Sequence, residues 1–357
     1  LGKGEKKMSE IKRKLATIRT IATISAIEGA DRIRKITFTS CGWQCVTNAP
    51  VNIGDKVVYF EVDSVLPRIP LFDWMAAYNY RVKTAKFKGQ ISQGLSIPLE
   101  EIMNAFPNVK DVLQREDNLP EGMDLTDILG VVKYEIPETV QLGGEVKGSF
   151  PGFIEKTDEE RAANVPNLNE LLATIDFIAR TKIDGTSSTF YLYNGEFGVC
   201  GRNQELKDTE NNTYWKIARK YNIEERLRSV GQNLAIQGEI AGPGIQSNRA
   251  KLSEVQLFVF TIQALDESRR LTDDELARML HRLNEYTDST KLQQCPLVGI
   301  IKAGTLKTIE DLAKYSDGPT LIPGAPETVR EGVVLRSVDG KISMKQISAR
   351  YLLKHDL

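Results

Sequence analysis

The sequence predicts an α+β protein of two domains, a small β-barrel first and a larger domain of antiparallel sheets flanked by helices after it. Three observations predict this. The chain has 357 residues, 41% of them hydrophobic, more than one hydrophobic core ordinarily serves. From about Lys14 to Pro98 it reads as short β-branched or alternating runs separated by Gly and Asn/Pro turns,. Beyond that, helix-capping patterns alternate with short β-like stretches that each carry a charged residue. The expected domains are residues 8–135 and 136–357, with the boundary near Gly143-Gly144. Leu1 to Lys7, before Met8, are set aside from the fold.

Composition excludes several kinds of chemistry. The formal net charge is -1, so a nucleic acid would be held by a local basic patch and not by the field of the whole chain. The two histidines, His281 and His355, leave little room for a histidine base or a His-ligated metal. Cys41, Cys45, Cys200 and Cys295 contain no C-x-x-C pair, which argues for reduced thiols and against a zinc site. There is no signal-peptide core and no apolar run long enough to span a bilayer, so a soluble protein, cytoplasmic or otherwise intracellular, is expected; a monomer is also expected.

In the first domain, strands are expected over Arg34 to Thr39, Val57 to Val62 and within Tyr80 to Leu95. Asn52-Ile53-Gly54-Asp55 is the turn that launches the second, which is apolar enough to be buried,. Arg81, Lys83, Lys86 and Lys88 then concentrate positive charge beside the Gly-Gln-Ile-Ser-Gln-Gly run at 89–94. In a barrel of the OB type such a cluster can follow a nucleic acid backbone. An ordinary solvated edge, kept from aggregating by its lysines, accounts for it equally well. Residues Glu100 to Ser149, with a turn at Leu119-Pro120-Glu121-Gly122, read as connector.

In the second domain, Asn167-Leu168-Asn169-Glu170 and Thr272-Asp273-Asp274-Glu275 have capping-box spacing,. Tyr214, Ile217, Ala218 and Tyr221 form a one-sided helical stripe suited to a core,. These helices are scaffold. Chemistry is expected at Arg180-Thr181-Lys182-Ile183-Asp184-Gly185-Thr186. On a strand, Lys182 and Asp184 would share a face, and Gly185 would let the chain pass close to a ligand. An amine becomes a nucleophile when its proton is removed or a neighbouring cation favours the neutral form; Arg180 and a metal are candidates for that cation.

Five further stretches follow in order: Arg202 in Cys200-Gly201-Arg202-Asn203, Glu239 in Ala235–Gly242, Phe258 and Phe260 in Leu257–Ile262, Glu331 in Arg330–Arg336, and Lys345 in Lys341–Lys345. Each alone has a structural explanation, as a surface arginine, a buried ion pair, plain core or a cross-strand pair. All of them together with a K-x-D-G are hard to assign to accident. The series resembles the motifs of the covalent lysyl-nucleotide superfamily of DNA ligases, RNA ligases and capping guanylyltransferases. It is most similar to RNA ligase family 5, with an OB domain at the N-terminus. The Phe150–Arg161, Gly242–Asn248 and Ile347–Lys354 segments are also similar to that family, so the resemblance runs from about residue 14 onward.

The resemblance implies an adenylyltransferase domain of the DNA/RNA ligase fold, ATP-grasp-like in layout, and an ATP-dependent RNA ligase. Lys182 would attack the α-phosphate of ATP, pass AMP to an RNA 5′-phosphate, and a 3′-hydroxyl would then seal the strand, at nicks in duplexes. Carried over position by position, Asp184 and Gly185 would face the nucleotide, Arg202 the nucleotide or terminal ribose, and Glu239 the adenosine ribose. Phe260 would stack on adenine, with Phe258 the second choice. Glu331 would hold a hydrated Mg²⁺ or Mn²⁺ together with Asp184 and Glu239, and Lys345 would bind the α-phosphate. The sequence departs from the family at Ser343 and Ile347, which stand two positions from Lys345 where a second lysine is common. Arg336 replaces a usual lysine and Thr261 a frequent aspartate. A capping-type guanylyltransferase, a DNA ligase and a non-catalytic RNA-binding module remain the alternatives.

Overall fold

The structure is a computed structural model describing residues 13–113, 119–135, 146–287 and 290–357. It divides into two compact units, one of residues up to 136 with Leu353–Leu357, the other Pro137–Leu352. The Gly143-Gly144 boundary lies outside the described residues.

The first unit is built on a five-stranded antiparallel sheet in the order Gln44–Thr47, Ala30–Phe38, Ala16–Ile27, Lys56–Phe60, Leu95–Pro98. Its central strand pairs through Ala16–Thr20 with Lys56–Phe60 and through Ile21–Ile27 with Ala30–Phe38. A register break between Ile21 and Thr23 lets the one strand bend and serve both neighbours, which curls the sheet. Val57, Val58, Tyr59 and Phe60 are all buried, as the apolar reading of that strand expects.

Two elements depart from the expectation. Leu99–Ala105 and Pro107–Leu113 are helices whose Ile102, Val109 and Leu113 enter the barrel core, so part of the expected connector is scaffold. The basic cluster also divides. Arg81 is 9% exposed, pairs with Asp63 at 2.8 Å and lies over the Tyr134 ring at 3.7 Å. Lys83 pairs with Asp356 at 2.6 Å. Lys86 and Lys88 stay exposed on the hairpin of Thr84–Phe87 and Gln90–Gln93.

The second unit holds two sheets. The eight-stranded one runs Val146–Ser149, Gln204–Leu206, Glu196–Cys200, Thr186–Tyr193, Leu234–Ala241, Gln256–Ala264, Arg269–Arg270, with Gln293–Gln294 paired beside Gln256–Ala264. Helices Thr213–Lys220, Ile223–Val230 and Asp273–Glu285 bury one apolar face each in its core, and the Tyr214 to Tyr221 stripe lies there as expected. The five-stranded sheet runs Glu160–Arg161, Ser343–Ile347, Gly332–Ser337, Phe177–Thr181, Leu297–Ile301, packed by Leu168–Thr174 and Ile309–Ser316.

Thr272 and Glu275 close a capping box. Asn167 does not: it sits at φ 54 and its side chain makes no cap bond, because a left-handed residue does not aim its side chain at the first turn's N–H groups. Arg226 knits the helical layer from inside. Fully buried, it donates to the Tyr221 carbonyl at 2.7 Å, Leu283 at 2.7 Å, Asn284 Oδ1 at 2.9 Å and Thr290 at 3.0 Å.

Replacing Arg226 with alanine strands several buried acceptors at once. The expected cost is about 3 kcal/mol, read as a lower urea midpoint, with Arg226→Lys recovering only part of it.

Candidate active site

The chain passes from the five-stranded sheet to the eight-stranded one through Lys182-Ile183-Asp184-Gly185, between strands Phe177–Thr181 and Thr186–Tyr193. The expected single strand with Lys182 and Asp184 on one face is therefore not found. The lysine stands in an extended crossover, because its backbone is drawn toward both sheets. Lys182 N–H donates to the Gly332 carbonyl at 3.0 Å. A Cβ on Gly185 would sit 2.2 Å from the Ile240 carbonyl and 3.0 Å from Glu239 Cγ, so only glycine lets the loop lie on the Leu234–Ala241 strand.

This passage brings Lys182 and Glu331 together. Lys182 Nζ donates to Glu331 Oε1 at 2.7 Å, with the lysine side chain 26% exposed and the glutamate 14%. Burial pulls the lysine pKa down, but the Glu331 and Glu239 carboxylates outweigh it, so the amine is raised above its ordinary value and rests as the ammonium. Burial pushes Glu239 up to about 8 against the opposing pull of Lys182. Burial also raises Glu331, with the nearby Asp184 charge adding to it and Lys182 opposing.

Asp184 faces other partners. Its Oδ2 accepts from Arg249 Nη1 at 2.9 Å and from the Tyr351 hydroxyl at 2.8 Å. Burial and the Asp184 charge hold Tyr351 firmly protonated, hence a donor. Arg180 is not the expected cation beside the lysine. Its guanidinium forms a two-pronged pair with Asp273 at 2.6 and 2.7 Å and donates to the Cys295 carbonyl at 2.8 Å.

Lys345, on Ser343–Ile347, pairs with Asp158 at 3.1 Å, and the exposed Arg202 reaches the same carboxylate at 3.4 Å. Burial lowers the Lys345 pKa, Asp158 opposes this, and Lys182 adds to it. Lys341 does not take the second-lysine position: it is 81% exposed and pairs with Asp339 at 3.4 Å. Ser343 instead donates to Glu159 Oε1 at 3.2 Å.

Phe260 is the extra residue of a β-bulge, since Gln237 faces Thr261 while Gly238 faces Val259. It is part-buried against the cluster holding Phe258, which is fully buried, so the two aromatics share one side of the strand as expected, with Phe260 the more accessible. The Phe260 carbonyl accepts from Arg336 Nη1 at 2.5 Å, and Arg336 Nη2 pairs with Glu159 at 3.1 Å. Burial opposes ionisation of Glu159, but Arg336 overrides it and holds that carboxyl below its usual range. Glu159, Asp158, Arg249 and Tyr351 were not singled out from sequence. Asp158, Glu159 and Tyr351 lie in segments that the family resemblance covers and Arg249 directly follows one, and no spacing rule points to them individually.

Among the described residues no group of three or more His, Cys, Asp or Glu is gathered closely enough to hold a metal directly. Glu331 Oε2, however, is buried without a hydrogen-bond partner. An orphaned carboxylate oxygen beside further acidic residues fits a hydrated divalent cation, bound through its water.

A family model described as RNA ligase matches residues 175–354. The structure of Naegleria gruberi RNA ligase, a glutamate-to-alanine mutant with AMP and Mn, is 36% identical, covering 96% of this chain and 99% of that one at a TM-score of 0.85. The chain belongs to the RNA ligase family. A second form of the Naegleria ligase, a lysine-to-alanine mutant with ATP and Mn, matches with the same identity, coverage and TM-score. A third, with PPi, matches at 36% identity over 97% of this chain and 99% of that one, with a TM-score of 0.84. An OB-fold domain model matches residues 15–99, in agreement with the expected N-terminal barrel. No curated protein matches the sequence. No helix among the described residues of this ligase is long and apolar enough to cross a membrane.

The raised Glu239 carboxyl, at about 8, makes the ligase's stability fall with alkali. Its folded pKa lies above the unfolded one, so the folded state holds the extra proton; that contribution is complete below about pH 4 and lost as pH rises through about 8. Glu239→Gln is expected to gain about 1–2 kcal/mol over wild type at pH 9 and much less at pH 5, read from urea midpoints at the two pH values.

Proposed function

We propose that this RNA ligase is ATP-dependent and joins a 3′-hydroxyl end to a 5′-phosphate end, at nicks in duplex RNA, through AMP held on Lys182. The observation that carries the reading is the Lys182–Glu331 pair, set where the two sheets meet. It holds one amine in a fixed place among acidic groups, with a second part-buried lysine, Lys345, in electrostatic reach of it.

The resting ammonium must lose its proton before it attacks. The Glu331 carboxylate already accepts that hydrogen bond and is the nearest group to take the proton or pass it to water. The neutral amine then forms an N–P bond to the α-phosphate, and the bond to pyrophosphate breaks with the electron pair leaving on oxygen. Lys345 offers charge to the α-phosphate as negative charge shifts toward the leaving group, and Arg202 offers a second cation to the nucleotide or the terminal ribose. Phe260 presents its part-buried ring to the adenine, and Glu239 its carboxyl to the ribose. Asp184, oriented by Arg249 and Tyr351, keeps its charge directed into the site. Glu331, Glu239 and Asp184 would hold hydrated Mg²⁺ or Mn²⁺, which when bound neutralises phosphate charge and the carboxylates facing the lysine. The same site next transfers AMP to the RNA 5′-phosphate, and the 3′-hydroxyl displaces AMP as the phosphodiester forms.

Incubation with α-labelled ATP or GTP and a denaturing gel tests the first step. Label from ATP on wild type and none on Lys182→Ala is expected, while Lys345→Ala labels about 10²–10³-fold more slowly. Label persisting in Lys182→Ala overturns the assignment, and stronger label from GTP redirects it to a guanylyltransferase.

A further inference from the structure

The hairpin of Thr84–Phe87 and Gln90–Gln93 is fastened at one end and bare at the other. At its root, Ser92 Oγ accepts from the Val46 N–H at 2.9 Å and the Tyr59 hydroxyl donates to the Gln93 carbonyl at 2.8 Å. Gln44 Nε2 donates to the Ile91 carbonyl at 3.3 Å. At its tip, Lys86, Phe87, Lys88 and Gly89 are all exposed, the phenyl-bearing residue by 44%. Among the described residues no ring stacks on Phe87 and no carboxylate pairs with Lys86 or Lys88.

The turn itself carries a cost. Lys88 and Gly89 have φ of 47 and 87, the two left-handed positions of a type I′ hairpin. The first of these ordinarily goes to Asn, Asp or Gly, because a longer L side chain is strained there. A lysine at that place spends backbone energy to hold a cation at the extreme tip.

We propose that this tip is an RNA contact, in which Phe87 stacks on an unpaired base of the RNA while Lys86 and Lys88 meet the adjoining phosphates. It rests on the RNA-ligase reading. Strand alternation sends Lys86 and Phe87 to opposite faces, so the ring face is clear of the nearer ammonium. One exposed ring between two cations, with Gln90 paired directly across from it, suits a base and its backbone better than a protein interface. A single ring stacks only on a base whose face is open, which selects a splayed or single-stranded nucleotide over a continuous duplex. Arg81 and Lys83, held by Asp63 and Asp356, brace the root and do not touch the RNA.

The test measures affinity of the full chain for a single-stranded RNA oligonucleotide and for a blunt RNA duplex across a KCl series, with urea midpoints to verify folding. Phe87→Ala is expected to bind the single strand about tenfold more weakly and the duplex unchanged, and Phe87→Trp to restore the loss. The double variant Lys86→Glu/Lys88→Glu should flatten the salt slope by about 1.4. Lys88→Gly, which relieves the turn, should lose about half of that slope. Wild-type affinity and slope in every variant assigns the tip to some other partner and overturns the proposal, as does an equal loss on blunt duplex or the absence of RNA binding by wild type. Wild-type RNA binding without any ATP adduct would instead overturn the parent reading and leave the hairpin contact standing.

Discussion

The larger unit is organised by one lysine ammonium held 2.7 Å from a glutamate where two sheets meet. A part-buried ion pair of this kind stabilises little by itself, because partial desolvation of both charges offsets much of their attraction,. What it supplies is position. Lys182 follows the interior strand Phe177–Thr181, which pairs with Gly332–Ser337; Glu331 precedes Gly332–Ser337, and Gly185 seats the crossover against Leu234–Ala241. Shifting any of these would part the amine from its carboxylate. The electrostatic consequence is a resting amine that is protonated and unreactive. The acidic surroundings that hold it there are the groups a cation and a nucleotide would neutralise.

Around that pair the remaining groups are secured from distant parts of the chain. Asp184 is turned by Arg249 from the loop after Leu234–Ala241 and by Tyr351 from the last helix, Ala349–His355. The Phe260 bulge leaves a carbonyl that Arg336 reaches from the other sheet, and Glu159 in turn holds Arg336. The arginine that replaces a usual lysine thus has geometric work: a flat, forked donor can bind a carbonyl and a carboxylate together, where an ammonium would serve as a point charge.

Much of this was legible in the sequence. Strand Lys56–Phe60, the Thr272 box and the Tyr214 stripe carry local signals strong enough to survive folding. Lys182, Glu239, Glu331 and Lys345 were legible only as an ordered set, since each alone has an ordinary structural explanation. Three of the failures share a cause. The partners of Arg180, Arg81 and Lys83 lie 93, 18 and 273 positions away, and local pattern is blind to such pairings. The helices Leu99–Ala105 and Pro107–Leu113 were overlooked because turn formers and charges obscure their short apolar faces.

Asp158 carries a consequence of another kind. Its carboxylate is shared between Lys345 and Arg202, and its side chain is 65% exposed. An anion arriving at those two cations therefore exchanges for a resident anion and does not displace water alone. The gain on binding is a difference between two charge pairings. A weakly charged or monodentate anion has little to win from that exchange, whereas a group able to engage both cations together has more. The resident carboxylate thus sets a threshold, and because it is so exposed, it can swing into solvent and be rehydrated at small cost once the threshold is passed.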